Sequence, residues 1–88
     1  ENTTLVVVLA DAPLSHDLLH QIAVSAHDGM ARAILPCHTP FDGDLVFVTA
    51  LKPFTKDRLH DPTLCIPTEL AVEDAIRSAV TEAHRSLL

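Results

Sequence analysis

Positive charge is scarce in this chain, and what exists is scattered. Six lysine and arginine residues stand against twelve aspartate and glutamate residues, a formal charge of −6 with no basic cluster. Nucleic acid is a poor partner for such a surface, because binding it requires a basic patch that neutralises phosphates. Long hydrophobic runs are missing too. None approaches the roughly 18 residues that span a bilayer, so no membrane segment is expected. Glycine occurs twice and cysteine twice, at Cys37 and Cys65. Two buried thiols fit a chain in the reducing cytoplasm better than a disulfide framework does. No internal repeat, low-complexity tract or secretory leader is visible. In a C-terminal portion of a longer product the targeting end would lie elsewhere.

What the sequence has in plenty is apolar side chain. Hydrophobic residues make up 48% of 88 residues and mean hydropathy is +0.26, enough to exclude disorder and to imply a core. Length limits it to one domain or a piece of one. Leu5-Val6-Val7-Val8-Leu9 runs without alternation, the pattern of a strand buried on both faces. A strand is predicted over 3–10, and a second over 44–50 around Leu45-Val46-Phe47-Val48. Covering both faces of such strands takes two layers, more than this chain supplies. Its core is therefore expected to be completed by another polypeptide.

Ser15 offers an N-cap, and Leu19, Ile22, Ala23, Ala26, Met30, Ala33 and Ile34 share a helical face, predicting a helix over 15–34. Asp28-Gly29 resembles a turn, yet the apolar phase continues beyond it, so Gly29 is read as a point of close packing. Pro36 ends that helix. Three prolines and mixed charges over 52–67 predict a long surface connection. Thr68 is the expected cap of a last helix over 69–87, with Val72, Ala75, Ile76, Ala79, Val80, Ala83 and Leu87 as its stripe.

Several residues can carry chemistry. Thr3 opens the first strand, where a hydroxyl is held rigidly. It becomes a useful nucleophile only with an adjacent base, and a free α-amine on the same residue, with a pKa of about 7.7 to 8.0, supplies one. Asp42-Gly43-Asp44 places two carboxylates around a glycine just before the second strand, where they can converge on an ammonium or a hydroxyl. Taken alone, a β-favouring threonine and an Asp-Gly turn are the blander readings of both features. His16-Asp17-Leu18-Leu19-His20 has aspartate where a zinc-protease helix needs glutamate. His27 shares that flank, so a three-histidine stripe is geometrically open, but a polar border explains it as well. Cys37-His38 lacks the paired spacing of a zinc site. Neither a metal nor a cofactor is expected.

Taken together, Asn2-Thr3-Thr4 with its strand, Asp11-Ala12-Pro13-Leu14, Ala26-His27-Asp28-Gly29-Met30-Ala31-Arg32-Ala33-Ile34, Pro36, His38-Thr39 and Asp42-Gly43-Asp44-Leu45-Val46-Phe47 form a specific set. In that order they resemble the small C-terminal chain of the self-processing amidases: the D-aminopeptidases with esterase activity, the β-aminopeptidases and the nylon-oligomer hydrolases. The resemblance covers residues 2–49; beyond Lys52 only the general pattern matches. It implies an α/β fold, an αββα sandwich completed by a larger N-terminal chain cut from the same precursor. It further implies cleavage of the Asn2–Thr3 bond, Thr3 as nucleophile and Asp42 and Asp44 as its supporting pair. The implied substrate is a small peptide or other amide, and the implied assembly a homo-oligomer of the two-chain unit.

Aspartates at 42 and 44 with a threonine nucleophile resemble the nylon-oligomer branch more than the serine aminopeptidases. While Glu1-Asn2 stay attached, Thr3 has no free amine and no amidase activity is expected. Glu1 also occupies a position where relatives often carry glycine, which is expected to slow the cut. Two alternatives stand beside the hydrolase: an acyltransferase of the ornithine-acetyltransferase kind, and an assembly module that keeps the fold without the reaction.

Overall fold

A computed structural model describes residues 3–35, 37–39, 43–54 and 62–87. Strand β1 (Leu5–Pro13) leads into helix α1 (His16–Ala33), strand β2 (Leu45–Lys52), a single 3-10 turn (Pro62–Leu64) and helix α2 (Cys65–Leu87). The strands pair in parallel, Leu5 beside Leu45 and on in register to Ala10 beside Ala50, before an irregularity ahead of Pro13 and Lys52. A parallel pair needs a crossover, and α1 is that crossover. The outcome is a small α/β unit of two strands and two helices.

Helix α1 begins where a side chain can satisfy its first amides. Ser15 is extended (φ −69°, ψ 161°) and its Oγ accepts from Leu18 N–H at 3.2 Å. Asp17 sits in the first turn and Arg32 in the last, each matching the helix dipole. The core stripe is Leu18, Ile22, Ala26 and Met30, spaced by four, with Ile22 and Met30 fully buried. Complete burial of a side chain of that size contributes about 1.5–3 kcal/mol. Ile22, Ala26 and Met30 belong to the expected stripe, and its first member differs: Leu18 points into the core and Leu19 packs at its margin.

The helix runs unbroken through Asp28-Gly29 because α2 crosses there. A Cβ on Gly29 would overlap the Glu69 carbonyl oxygen and lie 3.0 Å from Val72 Cβ. Arg32 reinforces the crossing, its Nε donating to Glu73 at 2.8 Å, while Arg77 donates both to Glu73 at 2.9 Å and to the Arg32 carbonyl at 3.0 Å. These donors hold the Glu73 carboxyl below its ordinary value, the bond from Arg32 first and that from Arg77 second.

Helix α2 starts at Cys65 rather than 69, and Thr68 does not cap it from outside but sits in its first turn, donating Oγ1 to the Leu64 carbonyl at 2.6 Å. Pro67 is tolerated because first-turn amides have no intrahelical acceptor. The α2 stripe is also only partly used. Val72 is buried and Ile76 half-buried, whereas Val80 and Leu87 stand exposed, beyond the reach of α1 and the sheet.

Both helices cover one face of the sheet. Val6, Val8, Val46 and Val48 turn towards them, and the register sets Leu5 beside Leu45 and Val7 beside Phe47 on the opposite side. That opposite side is bare, with Val7 64% and Phe47 54% exposed. The first strand, expected to be buried on both faces, is covered on one face by its own chain. Among the described residues, no helix is long and apolar enough to cross a membrane.

Candidate active site

The leading ends of the two parallel strands lie side by side, which brings Thr3-Thr4 against Gly43-Asp44. Leu45 N–H donates to the Thr4 carbonyl at 2.9 Å, and Thr4 N–H donates to Asp44 Oδ1 at 3.2 Å. Thr3 is exposed, with its hydroxyl lying over Gly43. A Cβ there would approach Thr3 Oγ1 to 3.3 Å, so glycine lets the two segments meet this closely.

Asp44 is the buried anion of this corner, its side chain only 6% exposed. Oδ1 faces the first strand. Oδ2 faces the loop after α1, where it accepts from His38 N–H at 3.1 Å and Cys37 Sγ at 3.4 Å and pairs with His38 Nδ1 at 3.2 Å. Burial alone pushes the Asp44 carboxyl up. The amides of His38 and Thr4, the Cys37 thiol and the His38 charge together outweigh it and hold the group below its ordinary value. Asp44 is thus an ionised carboxylate at neutral pH, with its direction fixed by donors from two segments.

His38 reaches this position through a left-handed backbone, φ 57°, a region that histidine enters more readily than most side chains. The far side of its ring meets α1: His38 Nε2 and His27 Nδ1 are 3.3 Å apart, with ring centroids 4.8 Å apart and planes tilted by 58°. His27 therefore belongs with His38 and Asp44 rather than in a stripe with His16 and His20. Among the described residues, the trio of possible ligands within 4.8 Å of one another is Cys37, His38 and Asp44. Cys37 and Cys65 are thiols, not disulfide partners.

Of the residues singled out in the sequence, Thr3 and Asp44 meet at one corner. Asn2 and Asp42 lie outside the described residues. His38, Cys37 and His27 were not assigned to this corner by spacing. The contacts depend on one left-handed residue and on a strand end reached after a helix, neither of which leaves a local pattern.

The chain is 43% identical over 87 residues to an uncharacterized aminopeptidase of Mycobacterium tuberculosis, covering 99% of this chain and 24% of that protein. It is 51% identical over 49 residues to an uncharacterized aminopeptidase of Mycobacterium leprae, covering 56% of this chain and 14% of that protein. A 6-aminohexanoate-oligomer endohydrolase of Paenarthrobacter ureafaciens is 36% identical over 62 residues, 70% of this chain and 16% of that enzyme. No solved structure matches the chain. The chain spans about a quarter of the length of the mycobacterial relative it matches end to end. Residues 1–86 match the family model of peptidase family S58, and the chain belongs to that family.

Proposed function

We propose that this chain is the nucleophile-bearing C-terminal part of a self-processing amide hydrolase acting on short peptides, β-peptides or related linear amides. The observation that carries the reading is the corner itself: an exposed threonine hydroxyl over Gly43, beside a buried, ionised Asp44 that is tied to the next amide of the same strand. The names of the mycobacterial aminopeptidases and of the oligomer endohydrolase support an amide bond as the target.

In processing, Thr3 Oγ attacks the Asn2 carbonyl, the peptide bond breaks as the ester forms, and water hydrolyses the ester. Thr3 then carries a free α-amine. That amine accepts the proton of Oγ as the hydroxyl attacks a substrate carbonyl, and passes it to the leaving amine; water resolves the acyl-enzyme. Asp44 lies one peptide from that amine and stabilises its ammonium form, with Asp42 as a further support. Oxyanion donors and most of the substrate pocket belong to the larger N-terminal chain.

The bare sheet face of Leu5, Val7, Leu9 and Phe47 is where that larger chain completes an αββα sandwich, and the two-chain unit then forms a homo-oligomer. An open groove of about 750 Å³ between β1 and α2, lined by Val6, Leu64, Pro67, Ala75 and Ala79 among others, offers a second seam for it. The thiols at Cys37 and Cys65 suit a cytoplasmic setting. The direct test is to quench full-length protein during turnover of a short amide or ester substrate and weigh its chains. The small chain should gain the acyl mass on Thr3, and Thr3→Ala should gain none. Turnover with an adduct mapped to another residue would overturn the assignment.

A further inference from the structure

The loop after α1 brings to Asp44 two further ligand-bearing side chains, Cys37 and His38, that neither processing nor turnover uses. A thiol, an imidazole nitrogen and a carboxylate oxygen converge from Cys37, His38 and Asp44. The thiol sulfur and His38 Nδ1 lie 3.4 and 3.2 Å from the same Asp44 oxygen. Tetrahedral zinc, with bonds of about 2.3 Å to sulfur and about 2.0–2.2 Å to nitrogen and oxygen, sets its ligands roughly 3.3 to 3.6 Å apart. Two of the three separations already lie close to that range, and the third, from sulfur to nitrogen, is within 4.8 Å.

A metal-bound histidine also needs its other ring nitrogen held, and His27 is in place to do so, 3.3 Å from His38 Nε2. With His38 Nδ1 on the metal, its proton resides on Nε2 and is donated to His27 Nδ1. Without metal, Nδ1 donates to Asp44 and Nε2 accepts from His27. The histidine pair serves both states by reversing one hydrogen bond.

We propose that Cys37 Sγ, His38 Nδ1 and Asp44 Oδ2 form a three-ligand site for a thiophilic divalent cation of the zinc class, with water as the fourth ligand. Binding releases the thiol proton to solvent, so that thiolate and carboxylate together neutralise the cation. Mixed sulfur, nitrogen and oxygen ligands select against magnesium and calcium, which take oxygen. Because Asp44 is the carboxylate assigned to Thr3, an occupied site is expected to slow processing. The binding itself does not depend on the hydrolase reading.

The test is a Co²⁺ titration of the full-length protein, read as the thiolate-to-cobalt charge-transfer absorption in the near ultraviolet. The expected result is saturation at one equivalent per chain, displacement by Zn²⁺ and none by Mg²⁺. The band should be lost in Cys37→Ser and kept in Cys65→Ser. His38→Gln, which leaves the thiol in place, should weaken binding by at least about tenfold, and His27→Gln by about 10- to 100-fold. No band, a band that survives Cys37→Ser, or one unaffected by His38→Gln overturns the proposal. Hydrolysis that persists in full-length Thr3→Ala with the cobalt signature intact would leave the site standing and count against the Thr3 assignment alone.

Discussion

Asp44 shows how one residue can be set by segments far apart in the chain. Its two oxygens are addressed by the Thr4 amide just ahead of β1 on one side and by the loop after α1 on the other, and these donors win over the burial that would otherwise neutralise it. The sign of the consequence follows. A carboxyl lowered in the folded state stabilises that state fully above its unfolded value, here the ordinary 3.8, and the contribution is lost as pH falls through the lower folded value. In the full-length protein, the stability gap between wild type and Asp44→Asn should hold steady from neutral pH to about 5 and close progressively below it. Urea unfolding across that range checks this. A gap that widens in acid would mean that Asp44 is not held as an anion. Glu73, lowered by Arg32 and Arg77, titrates in the same direction, so Glu73→Gln is the necessary control.

At the scale of elements, the crossing of α1 and α2 is fixed by Gly29. Alanine there would gain about 1 kcal/mol of helix propensity. It would also force a Cβ into the Glu69 carbonyl and against Val72, and overpacking of this kind costs about 1–3 kcal/mol. Because the obstacle is backbone, the clash should win, and Gly29→Ala should lower the thermal midpoint of the full-length protein. An unchanged or raised midpoint would mean that the helices separate at little cost. Gly29 was legible in the sequence because the apolar phase continued across it, and Ser15 because a cap needs only its own helix. The start of α2 was not: the prolines around it read as a connection, although Pro67 fits a first turn. Nor was the choice of Leu18 over Leu19, which depends on where the sheet lies rather than on spacing within the helix. The meeting of Thr3 and Asp44 at one corner was legible through strand ends and a family resemblance. The roles of His38, Cys37 and His27 depend on a backbone reversal that no spacing rule encodes.

The whole molecule is extended and thin for its length. Its Cα radius of gyration is 14.6 Å, against about 12 Å for a self-contained domain of this length, and its thinnest dimension is 17 Å, the depth of one sheet and one helix layer. Leu5, Val7, Leu9 and Phe47 form a contiguous apolar surface of the sort that marks an interface. The same substitution should therefore act in opposite directions in two contexts. Phe47→Asp should raise the solubility of this chain expressed alone, where the face meets water, and should impair folding of the full-length product, where the larger chain is proposed to cover it. Equal tolerance in both would mean that nothing packs on that face.

The most direct measurement of the central claim is the intact mass of the full-length product, with and without Thr3→Ala. The wild type should give two chains, the smaller beginning at Thr3, and the variant one uncut chain. Two proteins that both stay whole, or that are both cut alike, would contradict it and leave Thr3 as no more than the residue that leads into a strand.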